Sequence, residues 1–389
     1  MRILHLINYY QPKIGYQEYF LAKKQQELGH EVFFITSDRY FPFHNYKKSY
    51  EGLLGPRIIE AGKFIEDGIT VYRKKPLLEI ILPFVTNSFI FFRDIKNLIY
   101  QINPDLIVCH GTTIPLSIQL ARIQFNSKKP FIIYDDHQGY PAKNKVWLHK
   151  LFGKIFSYFY LDLILKSQDR IVATSDDTKQ TLIDNYGFSS NQIVTAPVGV
   201  EINSFYFSSD YRLTVRGKYD LIESDILSIY TGKISYHKGI PELLEAVSLI
   251  RNKFDNFYLL LIGFIQDEEL LSVIESAKGV YYSESVSNSD LYKYFSAADF
   301  GIWPNHVTIS HYEAMACKLP IIVSSYDVAK ERVKWENGFS LNSLSVDEIY
   351  KHCITLISDK ALRKKMGEKS FEAIKRELSW DVIVEKFLI

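Results

Sequence analysis

Two lysines, Lys233 and Lys238, lie five positions apart in a segment that follows a short apolar run at 227–230. The run predicts a buried β-strand, so the lysines fall in the loop at its carboxyl end, where open α/β sheets bind ligands. Two ammonium groups there could neutralise a diphosphate. On spacing alone, two solvated loop lysines are the simpler interpretation, because lysines are usually exposed.

A second segment, 303–320, reads as a strand end, a loop, a helix start and a proline before another strand. Thr308 and Ser310 fall near the predicted helix N-terminus, where free backbone N–H groups and the helix dipole receive anions such as phosphate. Glu313 follows within the first turns, and its carboxylate could accept hydrogen bonds from two vicinal hydroxyls, as in ribose. Taken alone, Glu313 is more typical of a surface glutamate stabilised by the helix dipole.

Short apolar runs alternate with helical segments along the whole chain. The first 36 residues read as a strand at 3–8, a helix at 16–28 and a second strand at 32–36, and the pattern restarts at 227. This alternation predicts an α/β protein with mainly parallel sheets. We expect two Rossmann-like doubly wound domains, with a ligand cleft between them.

Other classes of protein are disfavoured. A dinucleotide-binding enzyme should show GxGxxG after its first strand, but the two corresponding loops hold only Gly15 and Gly232. Asp135 and Asp136 are adjacent rather than spaced as DxD, so no metal site is predicted. The three cysteines lie far apart with no CxxC, which argues against a disulfide scaffold or zinc cluster and fits a reducing compartment.

The 389 residues carry a net charge of +1, with 47% apolar and 23% charged side chains, as expected for a globular protein. No secretory leader is evident. The most apolar stretch, 77–92, is interrupted by Glu79 and Pro83, so it cannot span a bilayer. We expect a helix there that packs in the core, although its apolar side chains could also touch lipid. No nucleic-acid partner is expected.

Taken together, these segments resemble the retaining glycosyltransferases of family 4, which have the GT-B fold. The similarity covers nearly the whole chain, in order. It includes a Gly-His-Glu-Val turn and counterparts of the family's PDvvhxHg, yDxHE, PNGVD, GRLxxxKG and EAMAcGlP motifs. These segments lie at 8–15, 28–32, 104–111, 134–138, 197–201, 232–239 and 313–320.

The resemblance implies roles for individual residues. Lys233 and Lys238 would bind the donor diphosphate, Glu313 would hold the ribose hydroxyls, and His137 would lie near the transferred sugar. Backbone amides at 308–310 would contact phosphate. The predicted donor-binding residues are Gly15, Gly232, Gly263, Ser283, Val286, Asn305, Thr308, Ile309 and Ser310.

Some positions depart from the family pattern. Asn305 stands where the first glutamate of E-x7-E contacts the donor sugar, and Asn is uncharged and can donate as well as accept. Lys233 replaces a more usual Arg, Gln138 a common Glu, and Val198 the Asn of PNGVD. We interpret the chain as a divergent member rather than a pseudo-enzyme, since the diphosphate-binding side chains remain.

The implied activity is retaining sugar transfer from a UDP-type or GDP-type nucleotide sugar, with no other cofactor and no obligatory metal. The acceptor would be a glycan or lipid-linked glycan in bacterial surface polysaccharide assembly. We expect a cytoplasmic location, with peripheral contact at the inner face of the plasma membrane left open. The acceptor-side domain is predicted at 1–200, with 375–389 packing back on it, and the donor-binding domain at 201–374.

Three alternatives remain open. An epimerase on this fold would isomerise or hydrolyse the nucleotide sugar with no acceptor present. A phosphorylase would need a pyridoxal phosphate lysine, for which no supporting motif is found. A non-catalytic partner subunit would bind the nucleotide without turnover.

Overall fold

The structure is a computed structural model that describes residues 1–43, 46–81, 88–125, 129–137 and 146–389. The chain divides into two compact units. Unit 1 comprises Met1–Val198 with Ile383–Ile389, and unit 2 comprises Gly199–Val382. The sequence had placed the boundary after residue 200 and the start of the returning segment at residue 375.

Unit 1 is built on an eight-stranded sheet in the order β10-β9-β8-β7-β1-β2-β4-β3, in which only the β3–β4 pair is antiparallel. A separate two-stranded sheet pairs β5 with β6. The strands are β1 Arg2–Leu6, β2 Glu31–Ser37, β3 Gly62–Glu66, β4 Ile69–Lys74, β5 Leu78–Ile81, β6 Ser88–Phe91, β7 Leu106–His110, β8 Phe131–Asp136, β9 Arg170–Ala173 and β10 Ile193–Thr195.

Helices cover the eight-stranded sheet. They are α1 Gln17–Glu27, α2 Tyr46–Ser49, α3 Glu51–Leu54, α4 Ile95–Ile102, α5 Pro115–Ala121, α6 Val146–Phe156, α7 Asp162–Ser167 and α8 Asp176–Tyr186. A π-helical turn, Ser157–Leu161, joins α6 to α7. Every residue of β7 is buried, as expected for a parallel strand covered on both faces.

The expected helix over 77–92 is wrong. Its described residues form an antiparallel hairpin in which Leu78 pairs with Phe91 and Ile80 with Phe89, while 82–87 lie outside the described residues. The stretch forms a strand because its side chains alternate between two faces, and Glu79 points to the face opposite to that of Leu78 and Ile80. Its carboxylate accepts from Arg39 at 2.8 Å and Arg57 at 2.9 Å, and these bonds hold the hairpin against the unit.

Unit 2 contains a six-stranded, all-parallel sheet in the order β13-β12-β11-β14-β15-β16. Its strands are β11 Ile226–Thr231, β12 Phe257–Ile262, β13 Val280–Ser283, β14 Phe300–Trp303, β15 Ile321–Val323 and β16 Gly338–Ser340. This is the 3-2-1-4-5-6 order of a Rossmann domain, in which the direction of winding reverses between the first and fourth strands. The prediction of two doubly wound α/β domains is confirmed.

The helices of unit 2 include a long pair, α15 and α16, at its C-terminal side. They are α9 Ser209–Gly217, α10 Ile240–Arg251, α11 Glu269–Ser276, α12 Leu291–Ala297, α13 Ser310–Ala316, α14 Asp327–Lys330, α15 Val346–Ser358, α16 Lys360–Ala373 and α17 Trp380–Ile383. Across the described ranges, no helix is both long enough and apolar enough to cross a membrane.

The last residues of the chain are fixed to the sheet of unit 1. The Arg170 guanidinium donates to the carbonyl oxygens of Lys386 at 2.7 Å and Leu388 at 3.0 Å. The Lys386 ammonium donates in turn to the Thr195 carbonyl at 2.9 Å. These bonds attach the C-terminal segment to β9 and β10.

Candidate functional site

The two chemistry-bearing segments of unit 2 meet at the point where the strand order reverses. Strands β11 and β14 are neighbours, and the loops at their carboxyl ends carry Lys233 and Asn305. The Trp303 indole donates to the Thr231 carbonyl at 2.9 Å, and the Asn305 amide donates to the His237 carbonyl at 3.0 Å. The fold therefore brings together residues that are some 70 positions apart in sequence.

Two glycines allow the loops to approach each other closely. Gly232 has φ of +135° and Gly263 has φ of +154°. A Cβ on Gly263 would lie 1.8 Å from the Gly232 carbonyl oxygen, so no side chain fits there. The Gly263 amide donates to the Ser283 carbonyl at 3.1 Å, whereas Val286 packs against the core of the unit.

The positive charge of this edge is not balanced by acidic partners. Lys233 is exposed and Lys238 is half-buried, and neither forms an ion pair with any described residue. Burial lowers the pKa of Lys238, and repulsion from Lys233 lowers it further. Two ammonium groups held close enough to repel each other are suited to a ligand with two negative charges.

The helix start at 308–310 contributes less positive potential than the sequence predicted. Helix α13 has only seven residues, so its dipole is small. The Ser310 amide already donates to the Thr308 hydroxyl at 3.3 Å. In this loop the Ile309 amide has no acceptor among the described residues. Cationic side chains rather than the helix start must therefore supply most of the positive charge at this edge.

Glu313 is buried in α13 with one carboxylate oxygen unsatisfied. Its Oε1 accepts from the Asn288 amide at 2.8 Å, while its buried Oε2 has no partner. Burial raises the pKa of Glu313, although the hydrogen bond from Asn288 and the nearby Ser310 hydroxyl act in the other direction. An orphaned carboxylate oxygen is the group that a hydroxyl-bearing ligand would satisfy.

Sequence reasoning missed two further groups at this edge. The His306 imidazole would be 3.3 Å from a Cβ on Gly232, and burial followed by repulsion from Lys238 lowers its pKa to about 3. The Arg332 guanidinium lies 4.4 Å from the centre of the Tyr312 ring and donates to the Thr308 carbonyl. Arg332 lies outside every motif, so no local signal identified it.

In unit 1, His137 ends a chain of buried hydrogen bonds at the carboxyl edge of the sheet. His137 Nε2 lies 2.8 Å from Asp135 Oδ2, and the same oxygen lies 2.9 Å from His110 Nδ1. His110 Nε2 lies 2.9 Å from His5 Nδ1, and His5 Nε2 lies 2.7 Å from Gln25 Oε1. We call these five residues the histidine relay; Gln138, which follows it, lies outside the described residues.

The bond directions in the histidine relay fix where its protons lie. Burial and the neighbouring His110 lower the pKa of His5 to about 3, so His5 is neutral. The hydrogen bond between His5 Nδ1 and His110 Nε2 holds a single proton. Because the Asp135 carboxylate can only accept, His110 Nδ1 and His137 Nε2 each carry a proton toward it.

His137 alone leads from the histidine relay to the surface, with a side chain that is 40% exposed. Burial lowers the pKa of His137, but the charge of Asp135 and the hydrogen bond to it outweigh this and raise the pKa to about 9. Burial acts on Asp135 as well, yet His137 and His110 hold the pKa of its carboxyl well below the usual range. At neutral pH, His137 therefore presents an Nδ1–H outward.

Glu18 in α1 is a second buried carboxyl near these histidines, and its burial raises its pKa.

Gly15, three residues before Glu18, has a φ of +73° and ends the turn Pro12–Ile14. A Cβ at this position would lie 3.2 Å from the Phe20 ring. The conformation of Gly15 is thus explained by the turn itself.

One group of described residues has the geometry to hold a metal ion. Ligand atoms of His110, Asp135 and His137 lie within 4.8 Å of one another. Two histidines and a carboxylate suit a transition metal such as zinc. In the present arrangement the same atoms already satisfy one another by hydrogen bonding.

The predicted site residues therefore fall into two groups. His137 and Gly15 belong to unit 1. The structure places the other predicted residues in the loops at the carboxyl ends of β11 to β14, or at the start of α13: Lys233, Lys238, Glu313, Gly232, Gly263, Ser283, Val286, Asn305, Thr308, Ile309 and Ser310.

Two sequence families match the chain. Residues 212–373 match the family described as "Glycosyl transferases group 1", and residues 19–204 match "Glycosyltransferase Family 4". One curated relative is the capsular polysaccharide biosynthesis glycosyltransferase CapM of Staphylococcus aureus, 24% identical over 258 residues. The match covers 62% of this chain and 64% of CapM, so less than two thirds of that relative is spanned.

Solved structures resemble the chain over almost its full length. A glycosyltransferase from Rickettsia africae has a TM-score of 0.72 and 18% identity, covering 99% of this chain and 96% of that protein. Anabaena HepE in complex with UDP has a TM-score of 0.69 and 16% identity, and the match covers 99% of this chain and 98% of HepE. At these identities, the likeness establishes the fold.

Proposed function

The chain belongs to the family-4 glycosyltransferases of the GT-B fold, and from that premise we propose that it transfers a sugar from a nucleoside-diphosphate sugar to a glycan or lipid-linked glycan, with retention of anomeric configuration. One observation carries the proposal. The switch point of unit 2 holds two lysines without acidic partners and a buried glutamate with an unsatisfied oxygen. A nucleoside diphosphate offers the matching groups, namely two phosphates and a ribose diol.

The lysines are proposed to act on the leaving group. As the bond between the sugar C1 and the β-phosphate oxygen breaks, negative charge grows on the diphosphate, and Lys233 and Lys238 stabilise it. The acceptor oxygen forms the new bond to C1 on the same face. The acceptor's proton passes to the departing diphosphate oxygen, so the step needs no further base or metal.

Two other groups are proposed to position the donor. Glu313 accepts hydrogen bonds from the ribose hydroxyls, with Asn288 orienting its carboxylate. For His137, the proposed role is a hydrogen bond from its outward Nδ1–H to the sugar being transferred, with the histidine relay fixing that proton.

We propose UDP as the first nucleotide to test, because the HepE structure contains it. We also propose surface polysaccharide assembly on the cytoplasmic face of the membrane as the setting, in line with the role named for CapM. The donor sugar stays open, since Asn305 replaces the family's usual carboxylate.

Thermal stabilisation by nucleotides tests the donor site. We expect one of UDP, GDP, ADP, CMP and dTDP to stabilise the protein by about 2.7 kcal/mol at a hundred times its dissociation constant. Lys238→Ala and Glu313→Gln should each remove about half of that shift or more. Lys278→Ala is the matched control, because Lys278 precedes β13 at the opposite end of the strand and should leave the shift intact.

Turnover then separates the remaining candidates. Transfer to an acceptor extract supports the proposal, while consumption of the nucleotide sugar without acceptor points to an epimerase. Nucleotide binding with no turnover would favour a non-catalytic partner subunit. Asn305, which replaces the family's usual carboxylate, is the reason this alternative is tested. If no nucleotide stabilises the wild type, the donor-site assignment fails.

A further inference from the structure

Helix α6 and the π-helical turn after it present an apolar face to solvent. Trp147, Leu151, Ile155 and Tyr158 follow a helical i, i+4, i+8, i+11 spacing, and their exposures are 64%, 50%, 50% and 83%. Phe159 extends the face at 64% exposure. Five large apolar side chains on one face of about four turns are more than a helix of a monomeric globular protein normally exposes.

The opposite face of α6 is already packed, so rotation of the helix cannot bury these side chains. Gly153 lies so close to α8 that a Cβ would be 1.9 Å from the Asn185 carbonyl oxygen. Phe156 is 3% exposed and packs edge-on against Tyr186 at 5.7 Å between ring centres. The exposed face is therefore a fixed feature of the folded protein.

The hairpin β5–β6 continues the apolar face. Glu79 and Ile90 form the cross-strand pair that faces inward, and Ile90 is fully buried. The outward pairs are Leu78 with Phe91 and Ile80 with Phe89, all of them apolar. Phe89 contacts Phe152 of α6 at 6.1 Å between ring centres, so the hairpin and the helix share one surface. We call this surface the apolar platform.

Positive charge borders the apolar platform. Lys150 and Lys154 lie one turn apart along the edge of the exposed face, and neither pairs with an acidic group among the described residues. From 138 to 161 the sequence has four lysines and no aspartate or glutamate. A two-fold contact would bring the same lysines from both copies to one interface and add like charges, whereas an anionic lipid surface complements them.

We propose that the apolar platform docks on an anionic membrane surface. Helix α6 lies in the interface plane, with Trp147 and Tyr158 at headgroup depth, Leu151 and Ile155 among the upper acyl chains, and Lys150 and Lys154 against lipid phosphates. This inference stands independently of sugar transfer, because it concerns a surface in unit 1 and can be measured without any nucleotide.

Vesicle flotation of the full-length protein tests the proposal. We expect flotation with vesicles containing phosphatidylglycerol, little with phosphatidylcholine alone, and weakening by salt. Trp147→Ser/Leu151→Ser/Ile155→Ser should lower the partition coefficient about tenfold or more. Lys150→Glu/Lys154→Glu should lower it at least about thirtyfold, since each cation near the surface contributes about 1 kcal/mol.

Matched controls come from exposed positions in unit 2. Leu213→Ser/Ile222→Ser/Leu249→Ser removes three comparably exposed apolar side chains, and Lys360→Glu/Lys364→Glu reverses two lysines at the same spacing. Both should float like the wild type. Unchanged melting temperatures show that all variants are folded, and unchanged nucleotide stabilisation in the platform variants separates this result from any failure of the donor site.

Three outcomes overturn the inference. The first is equal flotation of the wild type and both platform variants. The second is equal binding to vesicles with phosphatidylglycerol and to vesicles of phosphatidylcholine alone. The third is a wild-type dimer that the triple serine variant converts to monomer without any vesicle binding, because the platform would then be a contact between copies.

Discussion

Both units reverse their winding at a pair of neighbouring strands, β1 and β7 in unit 1 and β11 and β14 in unit 2, yet the polar groups at the two reversals behave differently. In unit 1 the charge of His137 is paired with the buried Asp135 carboxylate, and hydrogen bonds continue the contact to His110 and His5. In unit 2 the two lysines repel each other and Glu313 keeps an orphaned oxygen.

The difference teaches how one topology produces two kinds of site. A pair of opposite charges holds a single group in a fixed protonation state and orientation. A set of like charges gains its partners only when a ligand binds, so it lowers the stability of the free protein and raises its affinity for an anionic ligand. Mutations at the two reversals should therefore shift stability in opposite directions.

Asp135→Asn should give the largest effect. Asp135 is fully buried and joins His110 to His137, so removal of its charge leaves the cationic His137 imidazole without its counterion. We expect a loss of about 3 kcal/mol or more in the free energy of unfolding, measured by urea denaturation at pH 7. The control Asp184→Asn changes an exposed carboxylate in α8 and should stay within about 0.5 kcal/mol of wild type.

Lys238→Met should do the opposite to the free protein. It removes a half-buried ammonium that has no acidic partner and is repelled by Lys233. We expect unchanged stability or a gain of up to about 0.5 kcal/mol without ligand, after allowance for solvent screening. Nucleotide affinity should fall about tenfold or more, because a charge-assisted contact is lost. A loss of stability in the ligand-free variant would contradict the claim that mutations at the two reversals shift stability in opposite directions.

The pH dependence of stability should reveal the charge on His137. Its pKa is raised to about 9 in the folded protein by Asp135, with Glu18 and Asp136 also attracting the proton. The resulting stabilisation is complete below about pH 6.5 and is lost as the pH rises through 9. For a side chain 40% exposed we expect it to be about 1 kcal/mol.

The measurement is the melting temperature of wild type and His137→Gln from pH 6 to 9.5. The difference between them should shrink as the pH rises. A constant difference would mean that His137 is neutral in the fold, and the histidine relay would then end in an uncharged group.

The sequence predicted the sheets well because buried parallel strands appear as continuous apolar runs, and 227–230 and 258–262 are such runs. The candidate residues of unit 2, Lys233, Lys238 and Glu313, are predictions from family motifs, and the structure places them at the carboxyl ends of the strands or in α13. Asn288 was missed because its contact with Glu313 depends on how the loop after β13 folds.

The histidine relay was missed for a related reason. His110 and Asp135 are opposite each other only through the register of β7 against β8, and His5 reaches His110 across β1 and β7. Register between strands that are far apart in sequence is set by tertiary packing, which a single sequence does not display. The hairpin β5–β6 was misread because Ile and Phe runs suit either a buried helix or a strand when the turn is not evident.

The smallest predicted effect concerns Asn305, at the reversal in unit 2. Its amide donates to the His237 carbonyl and so ties the loop after β14 to the loop that carries Lys238. An ionised glutamate cannot donate that bond, so Asn305→Glu should lower the free energy of unfolding by no more than about 1 kcal/mol. The added charge near Lys238 should raise the pKa of that lysine and weaken diphosphate binding a few-fold. Asn305→Asp is the matched control, because it removes the same N–H hydrogen-bond donor and adds a charge without lengthening the side chain. Asn305→Glu could instead improve turnover with a new donor sugar. That result would mean that residue 305 selects the donor sugar, while the two lysines hold the diphosphate.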